Sequence, residues 1–173
     1  MDDLLGKIQS SMNKVEELAA KIPGYAGYKQ KELRREADKL LRLHVARKFE
    51  EQLHRLNDIQ YTLTGKGRLA SVLTLERAGM KLQLLIDRLK TASYGYAGLF
   101  DAIKVDEAAL DKLYAFDAAM LEGVEKVAKL LDRLAEAAEA EERTPPEANE
   151  LIRELEALNN TFSQRQDVIL SQK

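Results

Sequence analysis

The chain has 173 residues, 45% of them hydrophobic and 32% charged, with no cysteine and a net charge of −2. That length and apolar fraction suit one helical-bundle domain over residues 1–173, and the missing cysteine excludes a disulfide framework, a thiolate metal site and a cysteine nucleophile. Leu, Ala, Glu, Lys and Arg dominate, with only nine Gly and three Pro and no Trp, which is the profile of long helices rather than of a sheet protein.

The start, Met1-Asp2-Asp3-Leu4, lacks the basic residues and apolar run of a signal peptide, and no stretch approaches the roughly 18 apolar residues of a membrane span. The expected location is the cytoplasm. Charge is unevenly spread. Residues 28–92 carry fifteen Lys/Arg against eight Asp/Glu, and residues 93–173 carry nine against seventeen. A basic half packing beside an acidic half accounts for this, and so does a basic face for an anionic partner.

Hydrophobic periodicity gives about five helices in an elongated, antiparallel, up-and-down, all-α bundle. The first is expected from about Asp2 to Lys21, with Leu4, Ile8, Met12, Val15, Leu18 and Ile22 on one stripe, and it stops at Pro23-Gly24. The second runs from about Tyr28 to Leu63 on the stripe Leu33, Ala37, Leu40, Leu41, Val45, Phe49, Leu53, Leu56, Ile59 and Leu63. Thr64-Gly65-Lys66-Gly67 then turns the chain back.

The third helix, from about Arg68 to Thr91, carries a coiled-coil-like seam of Val72, Leu75, Gly79, Leu82, Ile86 and Leu89. Gly79 on that seam costs about 1 kcal/mol in helix propensity against Ala. A close approach by a neighbouring helix is the expected reason for it. The fourth, from about Asp106 to Ala140, has two apolar stripes: Leu113, Phe116, Met120, Val127, Leu130 and Leu134, beside Leu110, Tyr114, Leu121, Val124, Ala128 and Leu131. So wide a face is expected to touch at least two helices and to make this the central element. After Thr144-Pro145-Pro146, the fifth runs to about Ser171 with Leu151, Leu155, Leu158, Phe162 and Ile169 inward. Helices of this length leave apolar surface that a second copy could cover, so a homodimer is an expected partner state.

Two linkers resemble each other: Pro23-Gly24-Tyr25-Ala26-Gly27-Tyr28 and Ser93-Tyr94-Gly95-Tyr96-Ala97-Gly98-Leu99-Phe100. If the helices alternate in direction, both fall at one end of the bundle. That end gathers Tyr25, Tyr28, Tyr94, Tyr96 and Phe100 beside the basic Lys29, Lys31, Arg34, Arg35, Arg88 and Lys90. Tyrosine offers a flat apolar body with a polar tip, Arg a planar donor fork, and Gly close backbone approach. Tyr25, Tyr28, Lys31, Arg34, Arg35, Arg88, Tyr94 and Tyr96 are therefore the candidate residues for a protein partner or ligand. Aromatics over a bundle end also plug cores, and the two roles are compatible.

The run Lys29–Lys48 is dense in cations but interrupted by Glu32, Glu36 and Asp38, which reads as a solvated helix face. As a rival it could meet nucleic acid or an anionic membrane, although no nucleic-acid signature accompanies it. Glu51, His54 and Asp58, with Glu50 nearby, are half of a ferritin-like di-metal motif, and the second histidine, His44, lacks the matching Glu. Asp117 interrupts an apolar stripe and needs an Arg or Tyr hydroxyl from another helix. Phosphate-loop, serine-elbow, zincin and dinucleotide motifs are all missing, so no catalytic residue and no cofactor is assigned. The expected function is a non-enzymatic interaction or scaffold module.

Overall fold

Hydrophobic stripes of helical period emerge as four helices in a computed structural model that describes residues 31–92, 107–140 and 146–170, with side chains described from residue 41 in the first stretch, from 115 in the second and up to 165 in the third. They are α1 (Lys31–Gly65), α2 (Leu69–Thr91), α3 (Glu107–Glu139) and α4 (Pro146–Leu170). Among the described residues there is no strand. Four helices therefore stand where about five were expected, because the segment Asp2–Lys21 lies outside the described residues. The other four fall where the periodicity put them.

The stripes become the core. Leu41, Val45, Phe49, Leu56, Ile59 and Leu63 of α1 are buried, as are Leu75, Leu82, Ile86 and Leu89 of α2. Met120, Val127, Leu130, Leu131 and Leu134 of α3 meet Leu151, Leu155, Leu158 and Phe162 of α4 in the same cluster. Ala46, Ala78 and Ala138 are also buried, and such small side chains let neighbouring helices draw near.

Each helix packs on two neighbours, through the pairs α1–α2, α3–α4, α2–α4 and α1–α3. The expectation of one central helix gives way to this. The wide face of α3 serves α1 and α4, and every other helix likewise has two partners. Side-chain pairs give the relative directions. Along α1 and α2, Arg42 reaches Leu89 while Leu56 faces Gly79, so partner numbers fall as the chain rises. The same holds for Asp117 with Arg165 and Arg133 with Glu150 across α3 and α4. Between α1 and α3 the order is the reverse: Arg55 pairs with Asp132 and Lys66 with Glu139. Lys81–Glu156 and Arg88–Ser163 give the same sense for α2 and α4. Two hairpins thus lie side by side with like-directed helices in contact. The stretch 92–106 between α2 and α3 is long enough to link helices that are not principal neighbours, which a tight turn is not.

The turn between α1 and α2 follows from its glycines. Gly67 has φ +70°, its N–H donates to Thr64 O (3.0 Å), and the Arg68 N–H donates to Leu63 O (2.9 Å). This is a Schellman closure, which satisfies α1's last carbonyls and needs the left-handed residue that Gly supplies. At the other hairpin, α4 opens on Pro146 with Glu147 in its first turn, where a missing N–H costs nothing and an acid suits the helix dipole.

The close helix approach sits at a different glycine from the one expected. A Cβ added to Gly79 would lie 3.8 Å from Leu56 Cδ2, an ordinary contact. A Cβ on Gly123 would clash with Leu158 Cδ2 and lie 3.0 Å from Cδ1 and 3.2 Å from Cγ. Gly123 is therefore the residue that lets α3 and α4 meet. Chemical denaturation should find Gly79→Ala more stable, by up to about 1 kcal/mol through helix propensity. Gly123→Ala should be less stable by about 1–3 kcal/mol through overpacking. Equal effects of the two would contradict this assignment.

Candidate functional site

The uneven charge of the sequence is used between the hairpins. Arg55 and Lys66 of the first hairpin bond Asp132 and Glu139 on α3, and Lys81 bonds Glu156 on α4 at 2.9 Å. Cations also meet helix C-termini, where carbonyls lack intrahelical donors. Lys66 Nζ donates to Ala138 O at 2.9 Å near the end of α3, and Arg42 Nη1 donates to Leu89 O at 3.0 Å in the last turn of α2. Thr64–Gly67 is therefore more than a reversal, because its lysine caps a neighbouring helix.

Arg42 corrects the reading of Lys29–Lys48 as a solvated face. It is buried, and its guanidinium turns inward to α2. Lys48 is held by Glu51 at 3.1 Å, and His44 is half-buried. Arg47 is exposed. The described part of this run thus offers little cationic surface to a polyanion.

Of the candidate partner-binding residues, Tyr25, Tyr28, Tyr94 and Tyr96 lie outside the described residues. Lys31, Arg34 and Arg35 occupy the first turns of α1. Arg88 has a well-defined setting in the last turn of α2. Its Nη1 donates to Asn159 O (2.9 Å) and Oδ1 (3.2 Å), and its Nη2 donates to Ser163 Oγ (2.7 Å). The guanidinium stands 5.0 Å above the Phe162 ring, and burial lowers its pKa from the ordinary arginine value. Arg88 therefore clamps α2 to α4.

The di-metal alternative meets a different geometry. Glu51, His54 and Asp58 are all exposed, and Glu50 is bonded to Lys90. Among the described residues, no three His, Cys, Asp or Glu side chains are grouped so as to hold a metal ion.

Asp117 is buried, and the partner it requires is Arg165, which is 1% exposed. Arg165 Nε donates to Asp117 Oδ1 at 2.9 Å and its Nη2 lies 3.5 Å from Oδ2. Sequence reasoning asked for such a residue without finding it. The clue was available, since Arg165 continues the four-three spacing of Leu151, Leu155, Leu158 and Phe162 and so takes a core position. A buried ion pair of this kind fixes register more than it adds stability.

Two further surface features stand out. A shallow groove of about 560 Å³ between α3 and α4 is lined by Lys126, Lys129, Asp132, Arg133, Glu150 and Glu154, of which Lys126–Glu154 and Arg133–Glu150 are paired at 3.7 and 2.9 Å. Its charges answer one another. The outer face of α2 is different: Leu69, Leu73, Met80 and Leu84 are largely exposed. The single seam read from this helix left these four unassigned, although their own helical spacing was present in the sequence. No family model, curated protein or solved structure matches the chain.

Two outcomes are expected. Asp117→Asn should lower stability by about 3–5 kcal/mol, because it strands a buried guanidinium, and the pair replacement Asp117→Leu/Arg165→Met should recover most of that loss. Denaturant midpoints of the three proteins check it. For His44, burial and then the nearby Lys48 and Arg47 hold the pKa below 6.5. The unfolded chain then binds the proton more readily, so His44 weakens the fold as pH falls through 6.5 and has no such effect above it. The stability lost between pH 7.5 and 5 should shrink in His44→Gln. An identical loss would contradict it.

Proposed function

We propose that this chain is a non-enzymatic protein-interaction module, an elongated antiparallel up-and-down bundle whose partner site lies at the end where α1 begins and α2 finishes. The observation that carries this is the bond from Arg42, early in α1, to Leu89, late in α2. It places the opening part of α1 beside the last turn of α2. The two Gly-Tyr linkers, 23–28 and 93–98, join the chain at those two helix ends.

On this reading Tyr25, Tyr28, Tyr94 and Tyr96 supply rigid aromatic contacts, which suit the buried centre of a protein interface. Lys31, Arg34 and Arg35 form a cationic rim that favours an acidic partner and speeds its encounter. Arg88 supports the site from behind by holding the last turn of α2 on α4. The anionic-surface reading loses Arg42 to the interior, and the metal reading has its carboxylates facing solvent, so neither gains an observation in its favour.

The placement and the binding are tested separately. Because the chain has no cysteine, Tyr25→Cys/Tyr96→Cys should form a disulfide under mild oxidation, whereas Tyr25→Cys/Lys66→Cys should not. Tyr25→Ala/Arg34→Ala/Tyr96→Ala, with unchanged circular dichroism, should lose a partner that co-purifies with the natural chain. Retention of that partner by the triple variant would remove the site.

A further inference from the structure

The outer face of α2 is apolar where solvent should favour polar side chains. Leu69, Leu73, Met80 and Leu84 are 63, 61, 66 and 52% exposed. At about 100° per residue the four fall within an arc of about 60°, along about 22 Å of helix. They point away from the inward set of Leu75, Ala78, Leu82, Leu85 and Leu89. Large apolar residues scattered singly need no partner, but a continuous stripe of them marks a contact surface.

The order of residues along the stripe points to the occupant. Leu69 and Leu84 are equidistant from a point between Glu76 and Arg77, and so are Leu73 and Met80. A two-fold axis through that point, crossing the helix, lays each apolar residue against the mirrored one on a second copy: Leu69 against Leu84, and Leu73 against Met80. The residues at the centre are one acid and one base, both exposed. The axis doubles them into a charge-balanced group of two glutamates and two arginines. A two-fold interface must match itself in this way, since each residue meets its counterpart's surroundings twice.

We propose that this face is the site of homodimerisation, in which α2 packs antiparallel on α2 of a second copy about an axis between Glu76 and Arg77. The chain's own beginning is a poorer occupant. A helix over residues 2–21 would be about 30 Å long. It joins the described chain at Lys31, and Gly79 is level with Leu56, about 37 Å further along α1. Folded back from Lys31, such a helix falls short of Leu69 and Leu73. One helix face of this length lies at the low end of interface sizes, so the dimer forms reversibly in the micromolar range. It uses a different surface from the Gly-Tyr end and stands independently of that reading.

Sedimentation equilibrium of the full chain from about 1 to 200 μM tests this. The apparent mass should rise from 19.5 kDa towards twice that value. Leu73→Glu/Met80→Glu touches only exposed positions and should keep its circular dichroism and melting point while staying monomeric throughout. Glu76→Arg alone, or Arg77→Glu alone, puts like charges on the axis and should weaken association about tenfold. Glu76→Arg/Arg77→Glu restores balance and should regain it. A natural chain that stays monomeric overturns the proposal. So does a dimer that survives Leu73→Glu/Met80→Glu, a mass that continues past two copies, or a failure of the paired reversal to recover.

Discussion

The first hairpin supplies the cations and the second the carboxylates in each ion pair described between them: Arg55–Asp132, Lys66–Glu139 and Lys81–Glu156. An exposed pair of this kind contributes at most about 1 kcal/mol, so these contacts do not hold the fold together. Burial of the leucine-rich cluster does that. What the charges do is choose among packings that bury similar apolar area. Every helix here has a face wide enough for two neighbours, and hydrophobicity alone does not say which two. Reversing α3 against α1 would move Asp132 and Glu139 away from Arg55 and Lys66 and leave Lys66 without the Ala138 carbonyl it caps.

Buried polar groups sharpen the same choice. Asp117 and Arg165 satisfy each other between α3 and α4, and a slip of one residue in either helix would strand two charges in the core. Arg42 does for α1 and α2 what Arg165 does for the second hairpin, with a helix-end carbonyl as acceptor. Arg88 then ties α2 to α4 through Asn159 and Ser163. Each of the three fixes one helix pair, and Gly123 sets how near α3 and α4 can come. The ends of α1 and α2, from which the Gly-Tyr linkers leave, are positioned by this network.

Much of this was legible in the sequence. The four described helices, the Gly67 turn and the need of Asp117 for a partner all follow from period, glycine and charge. What escaped was information that is pairwise. Gly79 and Gly123 look alike in a sequence, and only the position of Leu158 against Leu56 separates a required glycine from a replaceable one. Arg42 sits in a run of surface-like cations, and its burial depends on which helix end lies opposite. Neighbour order was also hidden, because the simplest up-and-down ring places α2 on α3, while the charge pattern and a long α2–α3 connection select α1 on α3 and α2 on α4. Of the candidate site, sequence placed Arg88 at the correct helix end, but not the α4 contacts that occupy its donors.

Helix direction and neighbour order underlie every site described, and pulsed electron–electron spin resonance measures them directly. Labels at exposed Arg47 and Glu125, and at exposed Tyr61 and Glu136, report two levels of the α1–α3 contact. With the two helices side by side and like-directed, both distances are short. The crossed pairs, Arg47 with Glu136 and Tyr61 with Glu125, carry an axial offset of roughly 20 Å and are longer. Short crossed distances with long like-level ones would mean that α3 runs the other way, and the packing described here would be wrong.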